Sequence, residues 1–69
     1  MRIFDAADLG AAIRLRRKEL GFTQQQLAEY CGCGKRFISE LERGKPTIQL
    51  EKALEVVALT GLDIDIAER

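Results

Sequence analysis

A chain of 69 residues and 7.7 kDa is held to one small domain, 1–69, with a marginal core and little room for a deep catalytic cleft. Hydrophobic residues at 46% and charged residues at 32% exclude a disordered chain, and the lack of histidine removes the commonest general base and metal ligand. Basic and acidic residues cancel at eleven each, yet residues 1–46 carry +3 and residues 47–69 carry −3, which fits a basic binding face and an acidic second face.

Taken in chain order, the first helix is expected over 6–20. Asp5 suits its N-cap, and Asp8 stands three residues on in a capping-box-like position. Leu9, Ala12, Ile13 and Leu20 recur at helical spacing. Arg14, Arg16, Arg17 and Lys18 load the C-terminal half, where cations suit the helix dipole. Gly21 ends it. Thr23 caps a short second helix, through residue 30, with Leu27 and Ala28 inward. Cys31-Gly32-Cys33-Gly34 breaks that helix. The third helix runs over about 35–43, with Phe37, Ile38 and Leu41 as apolar positions, and is stopped by Gly44 and Pro46. Thr47 is expected to cap a fourth helix reaching about residue 60. Its stripe is Leu50, Ala53, Leu54, Val57 and Ala58, widened by Ile48 and Val56. Past Gly61 the pattern changes. Leu62-Asp63-Ile64-Asp65-Ile66-Ala67 alternates apolar and acidic with period two, as a strand does. A lone strand leaves its ladder unpaired. A dimerisation strand over about 62–67 is therefore expected, with Leu62, Ile64 and Ile66 as its apolar positions, paired with a second copy. A frayed tail or one further helical turn are the alternatives.

Two short helices joined by a glycine-bearing turn, the second flanked by basic residues, make the helix-turn-helix pattern over residues 23–43. The run Gly21-Phe22-Thr23-Gln24-Gln25-Gln26-Leu27-Ala28, then Gly32, then Ile38-Ser39-Glu40-Leu41-Glu42-Arg43-Gly44-Lys45 resembles the Xre/Cro-like family of helix-turn-helix regulators. The likeness covers residues 9–45. It implies an all-α, lambda-repressor-like fold of four helices, to which the period-two tail adds the short C-terminal β-strand. Ala28 is small where two helices cross, and Gly32 supplies the turn. Arg17 and Glu42 resemble the family's buried or half-buried ion pair between helix 1 and the end of helix 3, with a DNA contact as the alternative for Arg17. By the same resemblance, Gly34, Lys35, Arg36 and Ser39 stand where family members read bases. Arginine and lysine suit the guanine O6/N7 edge. Phe37 is either a contact to a thymine methyl or core. Glu40, one turn beyond Arg36, is placed to hold Arg36 or to accept from a cytosine amino group. Gln24 resembles the family's phosphate anchor, and Arg43 and Lys45 are phosphate candidates. Cys33 and Gly34 stand where the family usually has valine and serine. Two thiols without histidine cannot complete a four-ligand zinc site. Packing is the reading for both, with a redox role for Cys31 as the alternative. No cofactor or metal is expected. No nucleophile–base pair or phosphate loop points to an enzyme.

The run 36–47, the leucine-rich fourth helix and the Gly61-Leu62-Asp63-Ile64 tail look like the HipB-type antitoxins. That resemblance implies a homodimer on an inverted-repeat operator in double-stranded DNA, repressing its own operon, and a HipA-type serine/threonine kinase toxin as partner. The acidic second half would meet a basic partner. Two other functions compete: a stand-alone Xre-type repressor with no toxin, and a protein-interaction module that no longer binds DNA, to which the zero net charge lends some weight. No apolar run nears the ~18 residues of a membrane span. The start lacks the apolar region of a signal peptide. Cys31 and Cys33 are too close for an ordinary structural disulfide. A bacterial cytoplasmic protein is expected, nucleoid-associated when on its operator.

Overall fold

The computed structural model describes residues 2–68. Its elements are α1 (Ala6–Glu19), α2 (Gln24–Cys31), α3 (Lys35–Glu42) and α4 (Leu50–Leu59). Local chemistry sets their ends. Asp5 caps α1 by accepting from the Asp8 amide at 2.8 Å. The Asp8 carboxylate reaches back to the Phe4 amide at 2.9 Å, one residue earlier than a standard capping box. α2 has the full box: Thr23 accepts from the Gln26 amide at 3.1 Å, and the Gln26 side chain accepts from the Thr23 amide at 2.9 Å.

All four helices close alike. Gly21, Gly32, Gly44 and Gly61 have φ of 77°, 70°, 79° and 78°. In each case the next amide reaches back five residues: Phe22 to Arg17, Cys33 to Ala28, Lys45 to Glu40 and Leu62 to Val57, at 2.9–3.1 Å. That is the Schellman closure. It turns an apolar residue back onto the core at Phe22, Cys33 and Leu62. Gly44 is doubly constrained, because a Cβ there would also lie 2.6 Å from the Ala7 Cα.

The core is Leu9 and Ile13 of α1, Leu27 and Ala28 of α2, Ile38 and Leu41 of α3, and Ala53, Val56 and Val57 of α4. Ala28 is fully buried, as a close helix crossing requires. A second close approach lies at Gly10, whose missing Cβ lets α1 rest on α3. A Cβ there would run into the Leu41 carbonyl and lie 2.8 Å from that of Glu42. Arg16 ties α1 to the end of α4, its Nε donating to the Thr60 carbonyl at 2.8 Å.

Two expectations are corrected. Thr47 does not cap α4; the N-cap is Gln49, and the helix begins at Leu50. Residues 45–48 form a turn instead, closed by the Ile48 amide on the Lys45 carbonyl at 3.2 Å. Proline at the second turn position favours this geometry, and the turn uses up Thr47. The second correction concerns the fold class. The expected C-terminal strand over 62–67, and its pairing across a homodimer, is absent: no β-strand exists among the described residues. The fold is four helices. Leu62 is half-buried by the closure of α4, while Ile64 and Ile66 are 43% and 98% exposed. Alternation sets which way side chains face, but a strand also needs a ladder partner. Every other regular element among the described residues is a helix.

Candidate nucleic-acid interface

With 100° between successive residues of a helix, α3 divides cleanly. Ile38, Leu41 and the Glu42 side chain face inward. Lys35, Arg36, Ser39 and Glu40 spread over an outward arc of roughly 140°. Arg43, the C-cap, continues that arc and is exposed. Lys35 is exposed, the Arg36 side chain is 92% exposed, and Ser39 is half-buried at the edge. Gly34 is the N-cap and offers no side-chain bond to the first amides of the helix. Those amides sit at the positive end of the helix dipole. Phe37 turns toward α4. It packs on the core, with the Lys52 ammonium 5.5 Å above its ring.

The frame behind this face is a buried ion pair. Arg17 donates from Nε to Glu42 Oε2 at 2.6 Å and from Nη2 to Oε1 at 3.0 Å. Its Nη1 donates to the Phe22 carbonyl at 2.9 Å. The two side chains are 11% and 3% exposed. The hydrogen bond to Glu42 raises the Arg17 pKa from its ordinary value. The pair thus joins α1, the α1–α2 turn and the end of α3. Gln24 joins it too, its amide nitrogen donating to Glu42 Oε1 at 3.2 Å. Among the described residues, the amides of Gln24 and Gln25 make no intrachain hydrogen bond. They form the open N-terminus of α2, the kind of site that accepts a phosphate.

A second charge cluster lies on the outer face. Glu40 accepts from Arg36 Nε at 2.9 Å through Oε1 and from Lys45 Nζ at 2.7 Å through Oε2. The Lys45 hydrogen bond, then that of Arg36, holds the Glu40 carboxyl below the usual carboxylate range. Among the described residues, Lys35 and Arg43 have no ion-pair partner. The face therefore presents four cations, two of them bound to one carboxylate.

Cys31 and Cys33 are free thiols, each half-buried against the core. Burial pushes both pKa values up; the neighbouring Cys33 adds to the rise at Cys31, and Lys52 works against it at Cys33. Among the described residues no group of three or more His, Cys, Asp or Glu could hold a metal ion, and no helix is long and apolar enough to cross a membrane.

The structure brings together Gly34, Lys35, Arg36, Ser39, Arg43 and Lys45 on one side, and the Arg17–Glu42 pair behind them. Sequence reasoning missed three contacts: Arg16 with Thr60, Gln24 with Glu42, and Lys45 with Glu40. The last was legible in principle, since a glycine closure brings the residue after Gly44 back over Glu40.

Comparison with known proteins follows the same lines. The helix-turn-helix family model matches residues 13–66. The HTH-type transcriptional regulator y4mF of Sinorhizobium fredii is 49% identical over 65 residues, covering 94% of this chain and 86% of that protein. The competence pilus inhibition repressor of Acinetobacter baylyi is 51% identical over 37 residues, covering 54% of this chain and 34% of the repressor. Among solved structures, a HipB–O1–O2 complex superposes with a TM-score of 0.88 at 24% identity, covering 99% of both chains. A HipA–HipB–O2–O3 complex gives 0.86 at 24% identity, covering 99% of this chain and 96% of the other.

Proposed function

Because the chain belongs to the helix-turn-helix family and has an Xre/Cro-like domain closely resembling HipB in fold, we propose that it is a sequence-specific DNA-binding antitoxin and autorepressor of the HipB type. The observation that carries the reading is the outer face of α3. Its base-reading residues are Lys35 and Arg36 at the uncapped N-terminus, with Gly34 allowing close approach and Ser39 beside them. Arg43, Lys45 and the open amides of α2 hold phosphates on either side. Gln24 acts there by fixing α2 to the Arg17–Glu42 pair. Phe37 supports the face from behind.

The active species is a homodimer. A marginal monomer core gains from association, and α4 carries Leu50 and Leu54 at 62% and 44% exposure beside its buried stripe. Exposed apolar surface of this kind on a small chain suits a subunit contact. Two-fold symmetry then puts two copies of α3 about 34 Å apart on an inverted repeat. Glu51, Glu55, Asp63 and Asp65 are exposed in the acidic half and suit a basic surface on a HipA-type kinase toxin.

A second reading is a repressor with no toxin. The two relatives at 49% and 51% identity are named as a transcriptional regulator and a repressor, and they favour it. Affinity capture of the tagged protein from its host, with bound protein and bound DNA both identified, separates the two. A co-purifying kinase with DNA from the chain's own promoter is the expected result. DNA without a stoichiometric protein partner selects the plain repressor. A protein partner without DNA, even at low salt, removes the DNA-binding reading.

A further inference from the structure

Four helices end in the same backbone closure, but the side chains it joins differ: at α1 they are Arg17 and Phe22. The closure at α2 brings Ala28 to Cys33, and at α4 Val57 to Leu62, apolar on apolar as is usual. At α3 the residues so joined are Glu40 and Lys45. Their side chains meet at 2.7 Å, as their backbones do at 3.1 Å. Glu40 also holds Arg36 Nε at 2.9 Å from one turn away. Its side chain is 17% exposed, whereas that of Arg36 is 92% exposed. A single acidic residue is thus set into the one surface whose other charges, Lys35, Arg36, Arg43 and Lys45, are all positive.

We infer that Glu40 is a specificity-determining residue of the DNA-binding face, acting as a built-in competitor for Arg36 and Lys45. The inference rests on the DNA-binding reading above. Two physical effects follow from one carboxylate. A phosphate at Lys45 must displace Glu40 on any DNA, and a phosphate approaching Arg36 meets the negative charge of Glu40, so random sequence binds weakly. A guanine edge carries no net charge, so Arg36 meets no such repulsion there. Glu40 occupies Arg36 Nε and leaves the two terminal nitrogens as a planar pair directed outward, the fork that guanine O6 and N7 accept. The carboxylate therefore costs little on a correct base and much on a bare backbone.

The test is Glu40→Gln, which keeps the shape and removes the charge. Anisotropy titrations of wild type and variant are run from about 50 to 200 mM salt. One probe is a duplex from upstream of the chain's own gene, the other a random-sequence duplex of equal length. Releasing two cations steepens the log–log salt slope on random DNA by up to about 1.8 per protomer, so across that salt range the variant loses about tenfold more affinity per protomer than wild type. At the low end it binds random DNA about tenfold more tightly per protomer, while its affinity for the upstream duplex changes less than about threefold per protomer. Adding Lys45→Gln to the variant reverses about half of the slope change. Unchanged helical circular dichroism shows that the fold is retained. Equal slopes for wild type and Glu40→Gln overturn the inference, as does equal tightening on both duplexes. A selective loss on the upstream duplex makes Glu40 a base reader and overturns it too. If wild type binds neither duplex at low salt, the DNA-binding reading itself fails.

Discussion

Replacing Arg17 by methionine removes three hydrogen bonds at 2.6, 3.0 and 2.9 Å and a cation that is only 11% exposed. What remains is the more damaging part. Glu42, 3% exposed, keeps one contact, the Gln24 amide at 3.2 Å, and the Phe22 carbonyl loses its side-chain donor. Stranding one member of a buried pair costs about 3–5 kcal/mol. A domain of this length has a total stability of about 3–10 kcal/mol. Arg17→Met is therefore expected to be largely unfolded at 25 °C, or to retain only its last few kcal/mol. The double variant Arg17→Met, Glu42→Leu removes both charges. It should recover most of the loss and fall within about 1–2 kcal/mol of wild type, because an apolar pair of similar volume often replaces a buried ion pair with little penalty. The remaining deficit is the unmet Phe22 carbonyl, about 1 kcal/mol. Urea unfolding followed by far-ultraviolet circular dichroism reads all three proteins, with the slope confirming that the same surface is exposed. An Arg17→Met midpoint within about 1 kcal/mol of wild type would refute the reasoning, since the pair would then be no more than a surface contact.

Gly10→Ala drives a methyl group into the Leu41 and Glu42 carbonyls; backbone cannot yield as a side chain can, so a loss of about 1–3 kcal/mol is expected, read as a melting-point drop of roughly 4–8 °C per kcal/mol. The two thiols hold their protons more tightly in the folded chain than at the ordinary value of 9.0. Iodoacetamide at pH 7.5 (about neutral, where the reactive thiolate is scarce) should therefore label Cys31 and Cys33 more slowly than the urea-unfolded chain. Their contribution to stability is present below the ordinary thiol pKa and is lost as pH rises through the folded values. A Cys31→Ser, Cys33→Ser variant should lack that alkaline loss in urea titrations.

Much of the fold was legible because its signals are local. Asp5, Thr23 and the four glycines bracket helices by hydrogen bonds within a few residues, and the elements fall within a residue or two of those marks. Arg17 and Glu42 were paired through a family resemblance; spacing alone cannot join residues 25 apart. The failures share a cause. Thr47 reads as a cap until Pro46 claims it for a turn. Leu62, Ile64 and Ile66 alternate like a strand, but alternation carries no information about a ladder partner. Arg16 reads as a dipole-favouring cation because its acceptor, the Thr60 carbonyl, lies 44 residues away. At the candidate site, the outward arc of α3 was legible from helical phase. The double engagement of Glu40 needs a second step: helical phase places Arg36 one turn away, and Lys45 comes back to Glu40 only when the closure at Gly44 is carried forward.

The central claim is that the outer face of α3 reads base sequence as part of a two-fold dimer. Hydroxyl-radical footprinting on DNA upstream of the chain's own gene, with wild type and Arg36→Ala, tests it most directly. The account predicts two protected half-sites centred about 34 Å apart, an operator loss of about 1–3 kcal/mol for Arg36→Ala, and relaxed preference at one base position in each half-site. Absence of protection at low salt would contradict it, and so would an Arg36→Ala loss of equal size on random-sequence DNA.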